Sequence, residues 1–264
     1  MILDELAEHA RFRVEEAKCR LPIEQLEECA RSLPKGDFPF EKALRKPSLS
    51  FICEVKKASP SKGIIVEQFP YRDIAKEYEA AGADAVSVLT EPKWFLGSDA
   101  YLKEIAEEAT LPLLRKDFTV DLYQIYEAKT LGASAVLLIC TILSDRQLRD
   151  FRETAEGLGL SALVEAHTAE EVRRAAASGA SLIGVNNRDL KTFQVDLSAA
   201  VSLRSLVPPE AVFVSESGLR GPEDAARAAA FGADAVLVGE AMMKAPDKAP
   251  DKAAFLASLR EAAR

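Results

Sequence analysis

A (β/α)8 barrel, the TIM-barrel architecture, is the fold this 264-residue chain predicts, on three observations. One phrase recurs, as Gly82-Ala-Asp-Ala-Val86, Gly132-Ala-Ser-Ala-Val136, Gly179-Ala-Ser-Leu-Ile183 and Gly232-Ala-Asp-Ala-Val236, at glycine intervals of 50, 47 and 53 residues. The runs that follow it (residues 86–89, 136–139, 183–185 and 236–238) are continuously apolar, which suits parallel strands buried on both faces. A second set of short apolar runs, at 51–55, 111–114, 162–164 and 211–214, falls between the copies, so that interleaving gives eight strands.

Each element has its own reason. The phrase glycines follow helical patterns, where a left-handed residue ends a helix. Helical segments such as 71–81, 121–131, 169–178 and 223–231 separate the strands, at about 25 residues per strand–helix unit. An open doubly wound sheet is the competing architecture, and the persistence of the period to the end of the chain weighs against it. Residues 1–46 precede the first strand and carry helical patterns over 2–18 and 23–32, with Pro22 placed to start the second. They read as a helical extension covering the barrel mouth, and 47–264 as the barrel, within one domain spanning 1–264. The small tandem repeat at 245–252 reads as a surface loop before the last helix.

Composition excludes some functions. The chain is 48% apolar, enough for a sizeable core, and carries a net charge of −8. That sign argues against nucleic acid or an anionic membrane as a partner, while local cations and helix ends still allow an anionic substrate. No apolar run approaches the ~18 residues that span a bilayer. Residues 1–20 lack the apolar segment of a secretory signal. Cys19, Cys29, Cys53 and Cys140 form no CxxC pair, and Cys53 and Cys140 lie in apolar runs. Buried free thiols in a reducing cytoplasm are the expectation.

Barrel enzymes build their sites where strands end. Strand 1 ends in Glu54-Val-Lys56, with Glu54 and Lys56 on one face and Cys53 and Val55 on the other. Strand 3 ends in Arg115-Lys116-Asp117, strand 5 in Val164-Glu165, strand 6 in Asn186-Asn187-Arg188, strand 7 in Ser215-Glu216-Ser217-Gly218 and strand 8 in Gly239-Glu240. Any one of these alone reads as a solvated strand-end charge. Together, Lys56 and Lys116 against Glu54, Glu165 and Glu216 form a balanced set suited to acid–base chemistry. Ser217-Gly218 and Gly239-Glu240 precede helix starts, at the loops where this fold usually holds phosphate. Loop 1, Lys57-Ala-Ser-Pro-Ser-Lys-Gly63, reads as a mobile basic lid with Gly63 as a candidate hinge.

These residues match a family. Glu54-x-Lys56-x-x-Ser59-Pro60-Ser61 resembles the strand-1 signature of indole-3-glycerol phosphate synthases. The resemblance continues through Leu114-Arg-Lys116-Asp-Phe118, Val164-Glu165, Gly184-Val-Asn186-Asn-Arg188-Asp-Leu190, Ser215-Glu216-Ser217-Gly218 and Leu237-Val-Gly239-Glu240, over nearly the whole chain. Ala58 departs from it, standing where many relatives carry a basic residue or serine. The resemblance implies closure of an indole ring on 1-(2-carboxyphenylamino)-1-deoxyribulose 5-phosphate, with loss of CO2 and water, in tryptophan biosynthesis. It implies no cofactor and no metal, in keeping with just two histidines, His9 and His167, that form no ligand cluster in the sequence. It also implies a cytoplasmic monomer whose partner is a small phosphorylated substrate.

Roles carried over by resemblance make Lys116 the general acid at the ribulose ketone, and Lys56 and Glu165 the acid and base of the dehydration, in either order. Glu54 and Glu216 orient the lysines and stabilise the developing cation. Asn186 holds a sugar hydroxyl and Arg188 the aryl carboxylate. Lys56, Ser59, Ser217 and the backbone of Gly218, Gly239 and Glu240 take the phosphate. Phe95, Phe118 and Leu137 are candidates for the aryl pocket, with packing inside the barrel as the alternative for each. Two other readings stay open: a different phosphosugar barrel enzyme with Lys116 as a Schiff-base lysine, which borohydride trapping would reveal, and a non-catalytic barrel kept for binding.

Overall fold

A computed structural model describes residues 2–189, 194–245 and 251–264. Leu190 of the strand-6 motif and residues 246–250 of the tandem repeat lie outside the described residues. Eight parallel strands close into a barrel: β1 (Ser50–Val55), β2 (Ala85–Leu89), β3 (Leu113–Lys116), β4 (Ala135–Ile139), β5 (Ser161–Ala166), β6 (Leu182–Asn186), β7 (Val212–Glu216) and β8 (Ala235–Val238). Neighbours in sequence pair throughout, and β1 joins β8 to shut the sheet. The open-sheet alternative is thereby ruled out. All four phrase glycines adopt φ between 81° and 86° beyond a helix end, where a Cβ would be strained.

Three helices precede the barrel: α1 (Ile2–Arg20), α2 (Ile23–Ser32) and α3 (Pro39–Leu44). The strand connections carry α4 (Tyr71–Ala80), α5 (Asp99–Ala106), α6 (Leu122–Thr130), α7 (Asp145–Gly157), α8 (Ala169–Ala177), α9 (Ser198–Leu203) and α10 (Pro222–Ala230). The short α11 (Glu240–Met243) and the closing α12 (Lys252–Ala262) follow β8.

Strand alternation divides the core in two. Phe51, Cys53, Val55, Val86, Val88, Val136, Leu138 and Val164 face outward and pack under the helices. Ile52, Ala85, Leu114, Ala135, Leu137, Leu163, Leu182, Val212, Val214, Ala235 and Leu237 face the barrel axis. Four strands run past the apolar runs that reveal them in the sequence, into Lys116, Glu165, Asn186 and Glu216. Polar residues at the inward positions of a strand end continue its pairing but break its apolar signature. Strand β3 also starts later than its apolar run, after Pro112, which has no N–H to pair.

The extension reaches both ends of the barrel, whereas the sequence reading puts it over the mouth alone. Ile2, Leu3 and Leu6 of α1 line the cavity at the C-terminal ends of the strands. The fully buried Phe40 and Leu44 of α3 pack on the inward side chains at the opposite end. Polar contacts fix α3 there: Ser181 Oγ donates to Glu41 Oε2 at 2.7 Å, and Lys46 reaches Asp84 at 2.5 Å. At the mouth, Arg13 of α1 makes a two-pronged bond to Asp117, at 2.6 and 3.1 Å. Cys53 and Cys140 are buried free thiols, but Cys19 and Cys29 are exposed, because helices α1 and α2 turn those positions outward. Among the described residues no helix is long and apolar enough to cross a membrane.

Candidate active site

One cavity of about 780 Å³ opens at the C-terminal ends of the strands. All fifteen site residues that the sequence puts forward line it: Glu54, Lys56, Ser59, Phe95, Lys116, Phe118, Leu137, Glu165, Asn186, Arg188, Glu216, Ser217, Gly218, Gly239 and Glu240. Period-two alternation turns Glu54, Lys116, Glu165, Asn186 and Glu216 inward from five different strands. Glu54, Glu165 and Glu216 are buried.

The charges sort into two groups. Lys56 Nζ donates a short hydrogen bond to Glu54 Oε2. Gly239 faces that pair, and a Cβ there would collide with both side chains. Lys116 Nζ stands 3.5 Å from Glu165 Oε2 and 3.8 Å from Glu216 Oε2. Gly184, on the strand between those carrying the two acids, leaves the space that Glu216 Oε1 fills.

Ionisation follows from this crowding. Burial works against the Lys116 ammonium, but Glu165, Glu216 and Glu54 outweigh it and hold its pKa above the ordinary lysine value. Burial also opposes the Glu165 carboxylate. Lys116 and His167, with hydrogen bonds from Asn186 and Glu216, offset that and leave its pKa below the usual range. Glu216 goes the other way, pushed well up by burial and by the Glu165 charge. Two carboxylates that share one ammonium cannot both be freely ionised, and the surroundings favour the charged form at Glu165 and disfavour it at Glu216.

Neighbouring loops shape the rest of the cavity. The buried Glu91 carboxylate accepts from the N–H groups of Lys93, Trp94 and Phe95 at 2.8 to 3.0 Å, folding the loop that presents Phe95. Phe95 and Phe118 lie with ring centroids 6.1 Å apart. Leu137 is both a wall of the cavity and part of the inner core. Asn187 points away from the cavity; its amide donates to Ser215 Oγ and to the carbonyls of Glu216 and Ser217, and so braces the end of β7. Arg188 Nη1 approaches Ser61 Oγ at 3.5 Å.

Loop 1 is a two-residue antiparallel ribbon, Ala58–Ser59 against Gly63–Ile64, with Gly63 at φ 64° in its turn. The Ala58 N–H donates to the Phe95 carbonyl at 3.2 Å, tying loop 1 to the loop that carries Phe95. At the far rim Ser217 and Gly218 are consecutive left-handed residues, φ 64° and 98°. A Cβ at Gly218 would strike Val195 and Leu197, so this glycine also serves packing beneath it. The helix that follows Gly218, α10, begins at Pro222.

The sequence reading missed several lining residues: Ile2, Leu3 and Leu6 from α1, and Lys62, Arg220 and Lys244 around the rim. Lys244 follows Glu240 by one helical turn and donates to its Oε1 at 3.0 Å, and Lys62 Nζ is 3.9 Å from the same oxygen. Their signal was faint, basic residues within four positions of strand-end motifs. Among the described residues no group of three or more His, Cys, Asp or Glu could hold a metal ion.

A closed parallel barrel whose mouth gathers two amines and three acids beside a basic rim defines a (β/α)8 enzyme of acid–base chemistry. The family model described as indole-3-glycerol phosphate synthase matches residues 3–254. Proteins named indole-3-glycerol phosphate synthase resemble the chain closely. That of Ruminiclostridium cellulolyticum is 52% identical over 264 residues, covering 100% of both chains. That of Endomicrobium trichonymphae is 51% identical, covering 92% of this chain and 95% of its own. That of Lacticaseibacillus paracasei is 50% identical, covering 97% and 98%. A solved structure described as native KDPGal shares the fold, with a TM-score of 0.58 and 18% identity over 82% of this chain and 97% of its own. The chain belongs to the indole-3-glycerol phosphate synthase family.

Proposed function

We propose that the chain closes the indole ring on 1-(2-carboxyphenylamino)-1-deoxyribulose 5-phosphate, releasing CO2 and water to leave indole-3-glycerol phosphate. One observation carries the assignment of roles: the Lys116 ammonium stands in the cavity between two buried carboxyls, 3.5 Å from Glu165 and 3.8 Å from Glu216, which favour its charged form.

Ring closure needs a proton at the ketone oxygen as the aryl carbon attacks it. Lys116 donates that proton, and the flanking acids keep the amine charged until then. Glu54 and the ionised Glu165 stabilise the positive charge that develops on the aniline nitrogen. Loss of the aryl carboxylate as CO2 discharges that intermediate. In the dehydration the former ketone oxygen leaves as water with a proton from Lys56, and Glu165 removes a proton from the new ring. Glu165 suits the base because its neighbours keep it ionised. Lys56 suits the acid because Glu54 holds its ammonium in place.

The same reading gives the binding residues. Arg188 takes the aryl carboxylate with its planar fork, and Asn186 takes a sugar hydroxyl. Phe95, Phe118 and Leu137 enclose the aryl ring. The phosphate sits against Ser59, Lys56, Ser217 and the backbone of Gly218, Gly239 and Glu240, with Lys62, Arg220 and Lys244 adding positive charge to that rim. The reading includes a cytoplasmic monomer of one domain without a cofactor, and without a nucleic-acid partner, the last supported by the net charge of −8.

A fluorescence assay for indole product from synthetic substrate tests the proposal. Product formation that Lys116→Ala lowers by roughly 10²-fold or more supports it; no product from the intact protein overturns it.

A further inference from the structure

The chain has two histidines, and the mechanism above uses neither. His9 of α1 sits on the rim against Trp94 and Glu91. His167 is placed differently. It follows β5 directly, two residues beyond Glu165, at the entry to α8. Its ring is 14% exposed and stands between two carboxylates: Nε2 is 3.5 Å from Glu165 Oε1, and Nδ1 is 3.7 Å from Glu171 Oε2. Both ring nitrogens are buried, and neither has a closer hydrogen-bond partner.

Glu171 is itself fixed. Its carboxylate accepts from Thr141 Oγ1 at 2.6 Å and from the His167 backbone N–H at 2.7 Å, and its own backbone N–H donates to Thr168 Oγ1, the cap of α8. One braced carboxylate therefore backs the imidazole on the side away from the cavity. The groups facing His167 are Glu165 from β5, Glu171 from α8 and Lys116 from β3. Beyond Glu171 lie the Cys140 thiol, which burial pushes up to about 12 and so keeps neutral, and Arg174, which is bonded to Asp145 and to backbone carbonyls. Two anions against one cation favour the imidazolium. Burial opposes it, but Glu171 and Glu165 prevail and raise the His167 pKa.

This charge resolves an ambiguity. Lys116 is nearly equidistant from Glu165 and Glu216, so it barely decides which of them carries their shared proton. Of these two acids, His167 approaches Glu165, with Nε2 3.5 Å from its Oε1. We infer that His167, clamped by Glu171, is a positioning residue that holds Glu165 ionised and confines the shared proton to Glu216. The inference rests on the reading of Glu165 as the base. The imidazolium holds that base ready, and without it the proton returns to Glu165 at a higher pH.

The test uses the full-length enzyme. With two imidazoles, histidine-labelled NMR gives two titrations, assigned through His9→Asn. The His167 ring is expected to titrate above the ordinary histidine value of about 6.5, and to drop by about one unit or more in Glu171→Gln, the scale of one nearby charge. A ring titrating at or below 6.5 in the intact enzyme overturns the inference. In steady-state kinetics, His167→Gln is expected to move the acidic limb of kcat/KM up by about one pH unit, with plateau KM changed less than about twofold. His167→Lys, which restores a cation, should return the limb. Activity lost equally at every pH, with the limb unmoved, means a structural role only and sinks the inference. Should His167→Gln fail to fold, Glu171→Gln carries the same comparison. Glu165→Gln separates the two claims. Near-normal turnover there removes Glu165 as the base and the inference with it, whereas a large loss beside an unmoved His167→Gln limb removes the inference alone.

Discussion

At the N-terminal ends of the strands the inward positions are Ile52, Ala85, Leu114, Leu182, Val212 and Ala235, and Phe40 and Leu44 close over them. Two residues further along the same strands the inward positions are Glu54, Ser87, Lys116, Gly184, Val214 and Leu237, and the cavity begins there. Strands, pairing and alternation are common to both ends. At the closed end apolar side chains leave water and stabilise the fold by about 1.5–3 kcal/mol for each large one. At the open end carboxyls and amines leave water at a cost that pairing only partly offsets. One end of the barrel holds it together, and the other spends part of that stability on poised charges.

Substitutions that separate the ends sharpen this contrast. Lys116→Ala should lower turnover by roughly 10²- to 10⁴-fold with circular dichroism unchanged. Glu54→Gln belongs with it, and a mild kinetic effect there would reduce Glu54 to packing. Phe40→Ala should do the reverse. It empties a fully buried ring site and should cost about 3–5 kcal/mol, read as a melting point lower by about 10 °C, with turnover of the folded enzyme intact. A large kinetic defect in Phe40→Ala would break the division between the ends.

Arg13→Met lies between them. It leaves Asp117 buried without its two-pronged partner, at a cost of roughly 1–3 kcal/mol. Burial opposes the Asp117 carboxylate, but Arg13, Arg115 and Thr90 hold its pKa below the ordinary value. A carboxyl lowered on folding contributes stability that is fully present above about pH 4 and lost as pH falls through the lowered value. Acid denaturation of Arg13→Met should therefore begin at a higher pH than that of the intact protein. Coincident acid transitions would deny the pair any part in it. The smallest effect is expected at Ser217, a non-glycine residue at φ 64°. Ser217→Gly should relieve strain by less than about 1 kcal/mol while raising KM, the mark of a residue strained for binding. Unchanged KM would move Ser217 from the binding rim to the scaffold.

Much of this was legible along the chain. The phrase glycines locate four helix ends, and the strand-end motifs name the two lysines and three glutamates at the mouth, though not Arg220 or Lys244 on its rim. Legibility failed where the informative neighbours are distant in sequence. His167 reads as an isolated histidine, because Lys116 faces it from another strand end and Thr141, from a third, braces the Glu171 that backs it. The six-residue α3 is too short to show a period, and only the apolar barrel floor explains why Phe40 and Leu44 are buried.

By itself the sequence determined the barrel, its strand order and the chemical types at its mouth. Those follow from local rules: alternation in a strand, a left-handed residue after a helix, apolar runs between them. Only the tertiary structure decided that one extension serves both barrel ends, and that the charged form is favoured at Glu165 and disfavoured at Glu216. Ionisation depends on distance and burial in three dimensions, and groups 49 or 100 residues from Lys116 meet it only when the sheet closes.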